Sequence, residues 1–375
     1  MTMKITYIIN ARIPTEKAHG IHVMKMCEAL AKKCQVELVV SRRFNKIKQN
    51  PFDYYGVPRV FTIKKIPCID LIPLDKYLGN LALWIESFSF TFVVFFYLLF
   101  NKADIIYTRD KFLLFISPFW RNFVFEIHTF PKRYFIYARF FKRLKNLIVI
   151  TEKLKNLFAG QGMSPQKILV APDGVDIEMF KLPNIGMFEA REKLKLPQDK
   201  KIALYTGHLY EWKGVSTLAE AARYLPDNIE IYFVGGTDED IEKFKNKYLY
   251  IRNVRVVGHR PYAEIPFWLR AADVLVIPNS GKEEISKHWT SPLKMFEYMA
   301  SKTPIVASDL PSIREILNES NAVLFIPDNS ESLAAGIIKI LQNPRNSDII
   351  SSSALEDVKS YSWDKRAEKI CQKLF

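Results

Sequence analysis

Cysteine is scarce and unpatterned in this chain. The four cysteines among 375 residues (Cys27, Cys34, Cys68 and Cys371) show no CxxC or metal-ligand spacing, which argues against a disulfide scaffold or structural zinc and fits a reduced, cytoplasmic protein. No signal peptide is read at the start: Lys4 precedes a short β-like run, Ile5–Ile9, with no apolar region and cleavage site. Internal repeats and low-complexity tracts are missing as well. The basic charge comes without an RRM, KH or helix-turn-helix signature, so nucleic acid is not expected as a partner. Charged residues stop at 25% while hydrophobic residues reach 49%, which excludes wholesale disorder.

At about 150 residues per domain, the length predicts two domains. The formal charge of +14 is concentrated in one of them. Residues 1–180 carry 27 Lys/Arg against 14 Asp/Glu, and residues 181–375 carry 27 against 26. Such asymmetry is expected when one domain meets an acidic surface, whether phospholipid, phosphorylated substrate or nucleic acid. Charge alone does not choose among them.

Short β-branched runs alternate with helical patterns. Strands are predicted at 5–10, 36–40, 60–63, 104–107, 123–127, 147–150 and 168–171, then at 202–205, 229–234, 254–257, 274–277, 305–307 and 323–326. This spacing reads as βαβ units in two parallel, doubly wound α/β sheets, with a boundary near Lys181-Leu182-Pro183-Asn184. Ligands of such sheets bind beyond the strands' carboxyl ends. One segment stands apart: Ser87–Phe100 is apolar for fourteen residues, bracketed by Glu86 and Lys102. A span needs about 20, and a single span would divide the first sheet, so a buried helix and an interfacial docking element compete with it.

Ser291-Pro292 before an apolar-periodic run predicts a helix with Ser291 as N-cap and Pro292 at the first helical position. Leu293, Phe296 and Ala300 share one face, with Lys294 and Glu297 on the other. The helix N-terminus is a potential phosphate site, and Glu297, one turn on, can accept from a ribose diol; taken without context, an ordinary capped helix with a surface Lys–Glu pair is the default. Lys213 lies in a loop that follows a predicted strand, and Gly235-Gly236 end the next strand, allowing close backbone approach. The triplet Asp238-Glu239-Asp240 opens a predicted helix, where acids complement the dipole, in preference to a metal site. His19, His22, His259 and His288 have no convincing ligand spacing. Arg109-Asp110 reads as a structural ion pair.

In this order the pieces resemble the GT-B glycosyltransferases, specifically the retaining family 4 group. The matching segments are Ala171–Asp176, Gly207–Gly214, Phe233–Gly236, Ala271–Pro278, Ser291–Ala300 and Pro304–Asp309. In the first half they are Ala18–Val23 and Glu126–Thr129, and near the end Tyr361-Ser362-Trp363. The resemblance implies two Rossmann-like domains facing across a deep cleft: 1–180 (basic, acceptor), 181–360 (donor), and a helix at 361–375 crossing back to the first. It implies that Lys213 pairs with the donor diphosphate and that the backbone of Ser291, Pro292, Leu293 and Lys294 receives the phosphates. Glu297 would hold the ribose hydroxyls, and Gly235 would lie against the nucleotide. His128 would face the donor sugar, and Gly20 would let the first loop approach the diphosphate. His208 stands where the family usually has Arg and is expected to bind the nucleotide-sugar in its place, partly replacing that charge when protonated, and Trp289 stands where the ExxxxxxxE signature has its first Glu.

The expected activity is therefore transfer of a sugar from a UDP- or GDP-linked donor to an acceptor hydroxyl, with retention and without bound metal or other cofactor. The acceptor would be a glycan or lipid-linked sugar, with a possible anionic membrane surface as partner. The alternatives are a GT-B nucleotide-sugar epimerase and a non-catalytic membrane-associated subunit.

Overall fold

The computed structural model describes residues 3–182 and 185–375, so Pro183 and Asn184 of the expected boundary stretch lie outside the described residues. The chain divides into two units, one running to Pro172 and resuming at Trp363, the other Asp173–Ser362. The switch at 172/173 precedes the 180/181 read from sequence. Val175 bridges to Ser362, and Phe180, on the short helix Ile177–Lys181, is buried in the second unit's core. Those contacts commit the connecting segment eight residues early. The final helix, Trp363–Leu374, groups with the first unit.

The first unit holds β1 (Lys4–Ile9), β2 (Gln35–Arg42), β3 (Thr62–Pro67), β4 (Ile105–Thr108), β5 (Phe123–Ile127), β6 (Asn146–Val149) and β7 (Ile168–Val170). They form one parallel sheet in the order β3-β2-β1-β4-β5-β6-β7. The second holds β8 (Lys201–Thr206), β9 (Ile229–Val234), β10 (Val254–Gly258), β11 (Val274–Ile277), β12 (Ile305–Ser308) and β13 (Val323–Phe325), parallel in the order β10-β9-β8-β11-β12-β13. Both are doubly wound α/β layers with helices on the two faces. In each, the order reverses beside the first strand, which opens a crevice at the strand ends.

Period-two alternation builds the second core. Ala203, Tyr205, Ile231, Phe233, Val274 and Val276 pack on one face, while Ile202, Leu204, Tyr232, Val234, Leu275 and Ile277 pack on the other. Each fully buried large side chain contributes about 1.5–3 kcal/mol.

The apolar segment is longer than its fourteen-residue core. The helix runs Asn80–Phe100, and Glu86, expected as a flanking charge, lies inside it, fully buried and accepting from Asn10 Nδ2 at 2.8 Å. The helix is long and apolar enough to cross a membrane by length and composition, yet 33% of its most apolar stretch is buried within the protein.

Candidate functional site

Two glycines end adjacent strands of the second unit. Gly207 follows β8 with φ +127° and Gly235 follows β9 with φ +121°, conformations that L side chains rarely adopt. A Cβ on Gly235 would lie 2.5 Å from the Gly207 carbonyl oxygen, so the two backbones close on each other there. The chain then makes a 3-10 turn, Glu211–Lys213, ended by Gly214 at φ +71°. A Cβ on Gly214 would meet the Pro278 carbonyl at 1.8 Å. This tight closure holds Lys213 at the strand ends, where a methyl placed on Gly207 would touch both Lys213 Nζ (3.8 Å) and the Tyr205 hydroxyl (3.6 Å).

The helix leading into β12 begins at Leu293, not at Pro292, and ends at Ala300. Pro292 keeps an extended ψ of 128° and occupies the cap position without a side-chain cap. Ser291, expected as N-cap, instead accepts the Asp173 N–H at 3.0 Å, because the hydroxyl is claimed by a segment far away in sequence. The helix N-terminus is thus left without a side-chain oxygen over its first amides, the condition under which an external anion can bind.

Lys294 and Glu297 are not a surface pair: each is only 7% exposed. Lys294 Nζ is buried without a hydrogen-bond partner among the described residues and lies 3.7 Å from the centroid of the Tyr205 ring. Desolvation, and repulsion from Lys213, hold its pKa well below the ordinary lysine value against the pull of Glu297. Lys213 is lowered to about 8 by burial. Glu297 is raised by burial to about 7, opposed by the Tyr262 hydroxyl, which donates to Oε1 at 2.9 Å, and by Lys294. Two partly desolvated cations beside an uncapped helix start cost free energy unless an anion joins them. That arrangement can accept a phosphate group.

His208 stacks flat on Tyr210, with centroids 5.0 Å apart, and its Nδ1 lies 3.8 Å from Asp240. Asp240 belongs to a capping box with Thr237 at the head of helix Asp238–Tyr248, so the acidic triplet opens a helix as read. Trp289 ends the short helix Glu284–His288 with its indole N–H buried and without a partner among the described residues. Gly20 is not in a loop: it sits in the first turn of helix Ala18–Ala31. A Cβ there would meet the Tyr55 hydroxyl at 2.1 Å, and that hydroxyl accepts from Thr15 N and donates to Thr15 O. The glycine therefore makes room for a buried tyrosine.

In the first unit, His128 follows β5. Its Nε2 is 2.6 Å from Glu126 Oε1 and its Nδ1 is 3.0 Å from Arg109 Nη2. A guanidinium only donates and a carboxylate only accepts, so Nδ1 accepts, Nε2–H donates, and the ring is the neutral Nε2–H tautomer. Arg109 thus pairs with His128 and lies 3.7 Å from Glu126. The Asp110 carboxylate, expected to pair with Arg109, caps Phe112 N–H at 2.8 Å.

Glu126 is the hub that sequence reading missed. It also receives the Tyr107 hydroxyl, His22 Nε2 at 3.2 Å and Arg366 Nη2 at 3.1 Å. Burial would raise its pKa, but Arg366, His22 and the hydrogen bond from His128 outweigh that and hold it well below the usual carboxylate value. The available signal was a lone charge within the apolar run of β5. Arg366, Tyr262 and Tyr205 left no comparable trace, since each matters through a partner distant in sequence.

Two family models match the chain in tandem: Glycosyltransferase Family 4 over residues 19–179 and Glycosyl transferases group 1 over residues 187–357. Among curated relatives, D-inositol 3-phosphate glycosyltransferase 1 of Catenulispora acidiphila is 22% identical over 234 residues, covering 58% of this chain and 54% of that protein. Phosphatidyl-myo-inositol mannosyltransferase of Mycobacterium leprae is 28% identical over 207 residues, covering 53% and 51%. The chain thus spans about half the length of the curated relatives it matches. Among solved structures, Anabaena HepE in complex with UDP and glucose superposes with a TM-score of 0.76 at 16% identity, covering 99% of both chains.

Proposed function

The chain belongs to the GT-B glycosyltransferases of the group 1 and family 4 type, and on that premise we propose that it transfers a sugar from a UDP- or GDP-linked donor to an acceptor hydroxyl, with retention. The observation that carries this reading is the buried Lys294 amine, without a hydrogen-bond partner among the described residues, beside Lys213 at an uncapped helix start. As the glycosidic bond breaks, charge develops on the leaving diphosphate. Lys213, Lys294 and the amides of Leu293 and Lys294 stabilise it, so no metal is required. Glu297, ionised and steadied by Tyr262, accepts from the ribose hydroxyls. Gly207 and Gly235 let the nucleotide approach the backbone.

In the retaining step the departing phosphate oxygen takes the acceptor hydroxyl's proton while the acceptor oxygen bonds to the anomeric carbon on the same face, and no enzymic nucleophile forms. His128 faces the donor sugar and need not act as a base, its two ring nitrogens being engaged by Arg109 and Glu126. The UDP and glucose in the HepE structure support a nucleotide-sugar donor, and the inositol-directed relatives support a glycan or lipid-linked acceptor. The same reading makes the enzyme cytoplasmic and peripheral on the inner membrane face.

Calorimetric titration with UDP and with GDP, run beside Glu297→Ala and Lys213→Ala, tests the donor reading. Binding of one nucleotide that both variants lose is expected. Near-wild-type binding and transfer in both variants overturns it. Transfer unaffected by EDTA is the expected result for metal independence.

A further inference from the structure

Helix Asn80–Phe100 is apolar on two sides that face different surroundings. Ala82, Phe90, Val94 and Leu98 are buried in the first unit, and Tyr97 is tied to Glu37 on β2 at 2.8 Å. The opposite stripe, Trp84, Phe88, Phe92, Phe96 and Phe100, is exposed, with Phe92 65% and Phe100 83% open.

Ring contacts carry this stripe beyond the helix. Trp84 and Phe88 each lie 5.3 Å from Phe112. Phe95 lies 5.2 Å from Phe119, and Phe115 lies 5.8 Å from Tyr137 on helix Tyr134–Arg143. The helix, the 3-10 turns Lys111–Phe115 and Ser117–Phe119, and helix Tyr134–Arg143 thus share aromatic contacts. A cavity of about 720 Å³ opens on it, walled by Pro67, Ile69, Phe88, Phe92, Phe95 and Ile116.

Cations accompany these aromatic positions in sequence: Lys111 precedes Phe112, Arg121 follows Trp120, and Arg139 stands over the Phe140 ring at 5.4 Å. Between residues 80 and 145 nine lysines and arginines are exposed, against one exposed carboxylate, Asp104. An apolar face of this extent calls for a covering partner. A second copy would bring an equal set of cations against this one, which like-charge repulsion opposes. A bilayer with acidic headgroups matches both the aromatic face and these cations. A spanning orientation would strip the buried stripe, Glu86 included, from the sheet.

We infer that this face seats the first unit on an anionic bilayer, with helix Asn80–Phe100 lying in the plane of the interface. Its aromatic stripe sinks to the acyl boundary, the exposed lysines and arginines meet lipid phosphates, and the cavity takes part of an acyl chain. The inference rests on the lipid-linked acceptor reading but not on the donor site, so the two fail separately.

The test uses the full chain with phosphatidylcholine vesicles, with and without phosphatidylglycerol, in a sedimentation assay. Binding to the anionic vesicles at low salt is expected, weakening with salt and falling about tenfold or more in Phe92→Ser/Phe96→Ser. Both side chains are exposed, so that variant should keep its urea midpoint and its nucleotide binding. Trp84 emission should shift blue on binding, with Trp84→Phe removing the shift, and brominated lipids should quench it from shallow acyl positions. The inference is overturned by no vesicle binding, by equal binding of the double variant, or by quenching strongest at the bilayer centre. It is equally overturned by lipid-free self-association that the double variant abolishes, which would make a second copy the occupant.

Discussion

Glu126→Gln isolates the buried hub of the first unit. The substitution keeps the shape of the side chain but leaves one carbonyl oxygen to accept and turns an NH₂ toward groups that themselves donate: Tyr107, His22, His128 and Arg366. Arg366 is the costly partner, since its side chain is 2% exposed. Breaking a buried ion pair from one side costs about 3–5 kcal/mol. Arg366 retains the Pro172 and Ala171 carbonyls at 2.9 and 3.2 Å, which puts the expected loss at the low end, about 3 kcal/mol. At about 2–4 °C per kcal/mol for a unit of this size, the first unit's melting temperature should fall by roughly 6–12 °C.

The pH dependence gives a second readout. The folded pKa of Glu126 lies well below the ordinary value of 4.5, so its contribution is complete above that value and drains away as pH falls toward the folded pKa. Wild type should therefore lose stability faster than Glu126→Gln on acidification, and the gap between their urea midpoints should narrow. A gap under about 1 kcal/mol at neutral pH, or one that does not narrow in acid, would refute the hub.

The free enzyme's kcat/KM should rise with pH near 7, as Glu297 ionises to accept ribose hydroxyls, and fall near 8, as Lys213 loses its proton. Glu297→Gln should lack the rising limb, and a profile flat from slightly acid to alkaline pH would count against both roles. Lys294→Met removes a buried amine that has no hydrogen-bond partner among the described residues. It should stabilise the ligand-free protein by about 1–2 kcal/mol in urea melts while weakening nucleotide binding about tenfold or more; destabilisation would contradict the account of that lysine. Gly214→Ala forces a Cβ against the Pro278 carbonyl at positive φ and should cost about 2 kcal/mol or more at an unchanged m-value.

The strand pattern was legible because it is local. Each strand is an apolar run only a few residues long, and thirteen were read close to their observed positions, with the third displaced from 60–63 to Thr62–Pro67. The glycines and Lys213 at the strand ends were legible for the same reason, since a parallel sheet places its ligand loops at the carboxyl ends of its strands. Burial was not legible. Lys294 and Glu297, three apart on a helix, read without context as a solvated pair, and only packing against Tyr205 and Tyr262 desolvates them.

Distance in sequence hid the rest. Ser291 reads as the cap of its own helix, but Pro292 holds the cap position and the Ser291 hydroxyl accepts the Asp173 amide. Gly20 reads as a loop glycine, whereas it lies in a helix turn where Tyr55 fills the place of its side chain. Glu126 and Arg366, on opposite sides of the whole second unit in sequence, meet only after the last helix has packed. Sequence alone determined which elements form and in what order, because backbone propensity and hydrophobic period act over a few residues. Tertiary structure alone decided which charges are buried, which hydroxyls are already taken and which aromatic face is left uncovered, because those depend on segments brought together only when the sheets assemble.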